Sequence, residues 1–305
     1  WFAPAAGRLQ LAPGARRFVH EGITVAALIP AGEALTLSDA GGAVDVAGVR
    51  LDGAYDLLRA LELLLAADCA ERTAASGEPL PPGTIVLGDP ANVVSEGAVI
   101  EPGVVFDVRH GAVVLEAGSE VRSGSRLEGP CWVGMGARVV GGFIRTSVIG
   151  PRSVVRGEVA ASVFVGYANK AHDGFVGHSV IGHWANLGAG TTTSNLKNTY
   201  GPVRLEPHGT RLETGRTFLG SLIGDHAKTA IGTMLPTGTI VGAGANVFGA
   251  SGVPKHVPPF SWGLAGERLT EEGFLRIASR VLPRREVDFT AERAASLAAT
   301  YRRLA

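Results

Sequence analysis

The residues best equipped for chemistry lie close together in the chain. They are Asn169-Lys170-Ala171-His172-Asp173-Gly174-Phe175-Val176-Gly177, then Ile181-Gly182, Asn186-Leu187-Gly188-Ala189-Gly190-Thr191 and Ser194-Asn195. An imidazole with its ordinary pKa of about 6.5 can take up a proton at neutral pH, so His172 is the first candidate. Asp173 beside it is a poorer match, since a carboxylate titrates at about 3.9 unless buried. The amides of Asn186 and Asn195 can both donate and accept hydrogen bonds, and Lys170 and Lys197 add positive charge. Each also has a structural account: a solvated turn histidine, asparagines satisfying backbone groups in turns, and surface cations. Gly188-Ala189-Gly190 and Gly242-Ala243-Gly244 lack the strand-to-helix setting of a nucleotide loop and are not read as one.

What would position these groups is an internal repeat. The 43 glycines in 305 residues are too many for an ordinary domain and lack the three-residue period of collagen. Leu115, Val121, Leu127, Val133 and Val139 are aliphatic at six-residue spacing, and the fourth residue after each is Ser119, Ser125, Cys131, Ala137 or Phe143. The frame returns as Ile223, Thr229, Leu235, Val241 and Val247, followed at the same offset by Ala227, Thr233, Thr239, Ala245 and Ser251. A period of six fits neither an α-helix nor a single flat sheet. It fits one side of a prism per repeat, with an inward aliphatic residue and a small residue at the corner. Three sides make a coil, and roughly nine coils are expected between about 85 and 255, with loops at 109–112, 143–148 and 200–216. Cys131 is expected to be inert core.

Outside the repeat, Arg17-to-Leu37 reads as strands, and Leu51 to Ala70 as an amphipathic helix carrying Leu57, Leu58, Leu61, Leu64 and Leu65. Helices are expected to start near Thr270 and Thr290. The expected division is an α/β segment over 1–80, a β-helix over 81–260 and a helical tail over 261–305. Because the chain begins at Trp1, the first segment is expected to be the remnant of a larger, nucleotidyltransferase-like domain upstream.

The 28 basic and 28 acidic residues balance, which gives no sign of a nucleic-acid or membrane-surface partner. Two cysteines are too few for a disulfide framework, and no apolar run or signal-peptide layout is present, so the expected compartment is the cytoplasm.

The segment around His172 resembles the acetyltransferase part of the bifunctional glucosamine-1-phosphate acetyltransferase and sugar-1-phosphate nucleotidylyltransferase family. The family pattern is Lys-Ala, a spacer, His, an aromatic and an aliphatic-Gly, then Asn-aliphatic-Gly-Ala-Gly-Thr with an Asn four residues beyond. This chain matches it with one residue deleted before His172. The resemblance implies an all-β solenoid, a left-handed parallel β-helix with a short α/β N-terminal remnant and C-terminal helices. It implies a homotrimer with acetyl-CoA as donor and a sugar phosphate or nucleotide sugar as acceptor, and no metal. By the same resemblance His172 is the general base, the Ala189 N–H the oxyanion donor, and Asn186 and Asn195 hold the sugar. Ser221 and Ala243 fall where the family lays pantetheine.

The family's phosphate-binding Lys pair is Ala161-Ser162 here and its sugar-contacting Tyr is Phe175, which leaves Arg145, Arg152, Arg156, Lys170 or Lys197 as replacement cations. Three other readings compete: a nucleotidyltransferase whose prism serves assembly or regulation, a zinc hydrolase resembling the γ-class carbonic anhydrases through the spacing of His178 and His183, and a non-catalytic scaffold, which would need neither His172 nor the asparagines.

Overall fold

The computed structural model describes residues 15–20, 23–27, 42–45, 48–73, 79–249 and 252–305. Residues 28–37 of the expected N-terminal strands lie outside these. Strands Ala15–His20, Ile23–Ala27 and Gly42–Asp45 form a small mixed sheet.

From Ile85 onward the chain is a parallel β-solenoid. Its second face is a ladder of nine strands, from Val93–Ser95 to His256–Val257. The first face begins with Ile85–Leu87, Val105–Asp107 and Ser125–Glu128, and the third with Val99–Ile100 and Glu120–Val121. All ten positions of the two six-residue frames point into one apolar core, with Thr229 the one polar member. Burying each aliphatic side chain contributes about 1.5–3 kcal/mol, which no coil could collect without neighbours above and below.

One expected loop is instead strand. Residues 143–148 are expected to be a break, yet Arg138–Arg145 is one continuous strand, separated from Val148–Ile149 by only Thr146 and Ser147. Gly141 and Gly142, at φ 116° and 100°, bend that strand from the third face to the next first face without a turn. A Cβ on Gly142 would lie 2.3 Å from the Gly157 carbonyl oxygen, so the corner admits only glycine. The break over 200–216 is a true excursion, carrying the hairpin Arg204–Leu205 and Leu212–Glu213.

Helix α1, Asp56–Thr73, starts and ends a few residues later than expected and lies against the second face. Its Leu61, Leu65 and Cys69 pack with Val94, Ala112 and Val114, so this face is apolar outside as well as inside. Cys69 and Cys131 are both buried and their thiols are pushed up to about 12 by burial.

Helix α2, Glu271–Val281, and helix α3, Ala291–Leu304, begin at the two expected threonines, whose hydroxyls accept from the Gly273 and Arg293 amides. The Phe260, Phe274 and Tyr301 rings dock both helices on the solenoid. No described helix is long and apolar enough to cross a membrane.

Candidate active site

The corner between the third and first faces gathers the chemistry. His172 and Asp173 occupy it in one coil, and Ala189 and Gly190 in the next, joined by the Gly190 N–H donating to the Asp173 carbonyl at 2.9 Å. His172 is exposed. Ala189 is half-buried and its carbonyl accepts from the Gly232 N–H, while among the described residues no acceptor takes its own N–H. An imidazole therefore stands one coil from an unpaired backbone donor.

Lys170 lies under this corner. It occupies an inward position, paired with Val155 of the preceding coil, and is buried. Its ammonium turns to the corner and donates to the Arg156 and His172 carbonyls at 2.7 and 2.8 Å. Burial lowers its pKa to about 8, against a smaller opposing pull from Asp173. Lys170 is expected to bind substrate; its side chain is closed off from solvent and ties two corner carbonyls together, that of His172 among them. Arg156 is the cation at the surface here, 3.1 Å from Asp173 Oδ1. Arg145 and Arg152 face Glu158 and Glu286.

The two asparagines sit on opposite sides of the corner. Asn186 is on the third face, three residues before Ala189, and its Oδ1 accepts from Asn169 Nδ2 at 2.9 Å. Asn195 follows the first-face strand Thr192–Thr193, and its Nδ2 lies 2.8 Å from His178 Nδ1. The His178 ring stacks on Phe218 and its pKa is lowered, first by burial and then by Arg216, which suits a neutral ring accepting from the amide. Phe175 and Asn195 both crowd the space above Gly177. Lys197 is half-buried at the start of the excursion, beyond Asn195.

Ser221 and Ala243 are not brought to this corner within the chain. Ser221 is fully buried where the first face passes to the second, its amide accepted by Ser179 Oγ at 2.9 Å. A cofactor lying outside the coils cannot touch its side chain. Ala243 sits at the corner between the second and third faces, where its carbonyl accepts from Phe260. The corner of His172 continues instead through Gly232 and Gly249, where an added Cβ would meet nothing within 4 Å. Ile231 and Phe248 stand exposed beside them. His178 and His183 likewise occupy different corners, and among the described residues no three His, Cys, Asp or Glu side chains are placed to share a metal.

Sequence reasoning missed a cleft on the third face. About 380 Å³ in volume, it lies between the solenoid and the end of α2, walled by Tyr167, Trp184, Asn169, Asn186 and Lys228 on one side and Arg284 and Arg285 on the other. Tyr167 and Trp184 stack at 4.4 Å, both at positive φ. The Arg284-Arg285 pair just past a helix was a visible signal; which coil it meets was not.

No protein-family model matches the chain. Curated relatives do. It is 35% identical over 100 residues to the bifunctional sugar-1-phosphate nucleotidylyltransferase/acetyltransferase of Sulfurisphaera tokodaii, a match covering 33% of this chain and 25% of that protein. To the bifunctional protein GlmU of Jannaschia sp. it is 33% identical over 170 residues, or 54% of this chain and 33% of that one. To GlmU of Nitratidesulfovibrio vulgaris it is 31% identical over 217 residues, or 62% and 43%. The chain is a homologue of part of the GlmU proteins. It spans less than half the length of each of these relatives. Among solved structures, an Arabidopsis UDP-N-acetylglucosamine acyltransferase overlaps with a TM-score of 0.38 at 16% identity, covering 73% of this chain and 82% of that one.

Proposed function

We propose that this chain is an acyltransferase that moves an acetyl group from acetyl-CoA to the amine of an amino-sugar phosphate or nucleotide-linked amino sugar, in sugar-nucleotide synthesis in the cytoplasm. The observation that carries the reading is the stacking of the His172 turn on the Ala189 turn, one coil apart at one corner. The names of its GlmU relatives, nucleotidylyltransferase/acetyltransferase among them, agree with it.

The chemistry follows from those two groups. The free amine attacks the thioester carbonyl carbon while His172 takes the proton that the new C–N bond releases. Negative charge collects on the former carbonyl oxygen, facing the Ala189 N–H, a fixed dipole that needs no reorganisation. Collapse breaks the C–S bond, and the thiolate leaves with the proton returned by the imidazolium. Asn186 and Asn195, on either side, orient the sugar. The donor's pantetheine runs along Gly232 and Gly249, where the missing side chains leave the backbone open.

A trimer completes the site, since the corner stands on an open wall in one chain and acyl transfer profits from excluding water. A thiol-release assay over candidate amino sugars tests the whole. We expect His172→Ala to lower kcat by about 10²-fold or more with acetyl-CoA affinity nearly unchanged. Full turnover by that variant would transfer the role to Asp173 or another base.

A further inference from the structure

The cleft on the third face is rich in donors and poor in acceptors. Lys228, Arg284 and Arg285 line it, and among the described residues no carboxylate does. Arg285 donates to Asn169 Oδ1 at 3.2 Å, and Asn169 donates in turn to Asn186 Oδ1. Each amide oxygen thereby already accepts one hydrogen bond from within the protein. The Arg285 Nε is buried and has no partner among the described residues. A guanidinium N–H held away from water without an acceptor is costly, and Arg138 and Arg284 nearby add like charge. Burial together with those two arginines lowers the Arg285 pKa, and burial lowers that of Lys228 to about 8.

The segment is nevertheless fixed in place. Arg152 pairs with Glu286 at 2.7 Å, the next residue after Arg285, and Leu282 is buried. The protein thus holds a cluster of cations against a cleft that no described carboxylate lines. Cations just past the end of α2 also complement its dipole, but that interaction does not require a buried, unpaired Nε.

We propose that this cleft is a phosphoryl-binding subsite, with Arg284, Arg285 and Lys228 as the cations and the Tyr167–Trp184 stack as its apolar wall. Guanidinium forks match phosphate oxygens bidentately, and the free Nε supplies one prong. Asn169 and Asn186 each precede by three residues the His172 and Ala189 of the acyl-transfer corner, so the subsite adjoins it. The phosphoryl group belongs either to the sugar acceptor or to the acyl donor. That assignment rests on the acyltransferase reading; the anion site itself does not.

Calorimetry on the full chain separates these, with inorganic pyrophosphate, acetyl-CoA and a UDP-linked amino sugar as probes. We expect pyrophosphate to bind the unmodified protein and to bind at least about tenfold more weakly to Arg284→Gln/Arg285→Gln, with the exposed Arg284→Gln alone giving an intermediate loss. A matching loss for the UDP-sugar alone places the acceptor's phosphate in the cleft, and a loss for acetyl-CoA alone places the donor's. Pyrophosphate binding that survives in a chain without transferase activity leaves the subsite standing and removes the acyltransferase reading. Equal pyrophosphate affinity of a folded double variant and the parent overturns the subsite.

Discussion

Lys170 shows how one buried charge can hold a reactive turn. Its nearest neighbours in the inward column of the third face are Val139, Val155 and Leu187, all buried, and its ammonium reaches out of that column to two corner carbonyls, one of them that of His172. Holding a proton there costs stability. The folded pKa of about 8 lies below the ordinary 10.5, so between those values the unfolded chain binds more protons and stability rises with pH. Below about pH 8 the penalty is fully present, at most on the order of 3 kcal/mol for a shift of this size. In urea denaturation we therefore expect the parent to gain stability relative to Lys170→Met between pH 7 and pH 9.5; a difference that ignores pH would refute the lowered pKa. If the brace also orients His172, Lys170→Met lowers kcat with little effect on the acceptor KM.

The corners are the elements on which the fold turns. At the corner between the second and third faces, Arg152, Tyr167, Trp184, His226 and Phe260 all lie at φ between 54° and 62°, a region that disfavours side chains by about 1–2 kcal/mol each. Stacking offsets part of this: Tyr167 on Trp184 at 4.4 Å, then Trp184 on His226 at 6.1 Å. The test is the order of two substitutions. Trp184→Ala loses the stack and keeps the strain, whereas Trp184→Gly loses the stack and relieves it, so by chemical denaturation the alanine variant should be less stable, by about 1 kcal/mol. The reverse order would mean the position carries no strain. The inward hexad was legible because one residue type recurs at a fixed interval. The corner ladder was not: its rungs fall 17 residues apart from Tyr167 to Trp184 but 42 apart from Trp184 to His226, because the excursion intervenes. The strand at 143–148 was hidden by the same kind of exception, two glycines replacing a turn. His172, Ala189 and the asparagines could be picked out by residue type and order, yet neither the braced Lys170 nor the displacement of Ser221 follows from spacing. Both depend on which side of a strand faces inward.

At the scale of the whole molecule, the three faces are not equally free. The second is sheathed by α1, which Arg72–Glu96 and Glu62–Arg216 ion pairs tie to the solenoid and its excursion, and the third is partly roofed by the end of α2. Among the described residues no helix covers the corner of the first face with the third, and several exposed apolar side chains stand there. Ile231 is 82% and Met234 67% exposed, and Phe248 stands one coil further on, all three lining one shallow hollow. Large aliphatic side chains set so far into water, next to the proposed donor path, suit burial against a second copy. If three prisms meet along this edge, each shields the His172 corner of a neighbour, and assembly and activity are then lost together. Light scattering at micromolar concentration should give three times the chain mass, and Ile231→Glu/Met234→Glu should give the chain mass with an unchanged far-ultraviolet circular dichroism spectrum. Thiol release by that variant should fall by at least about tenfold, as an opened site readmits water to the reacting groups. A parent that stays monomeric while turning over would remove the trimer and leave the His172 corner to work on an open wall, and a charged variant that stays trimeric would place the interface elsewhere.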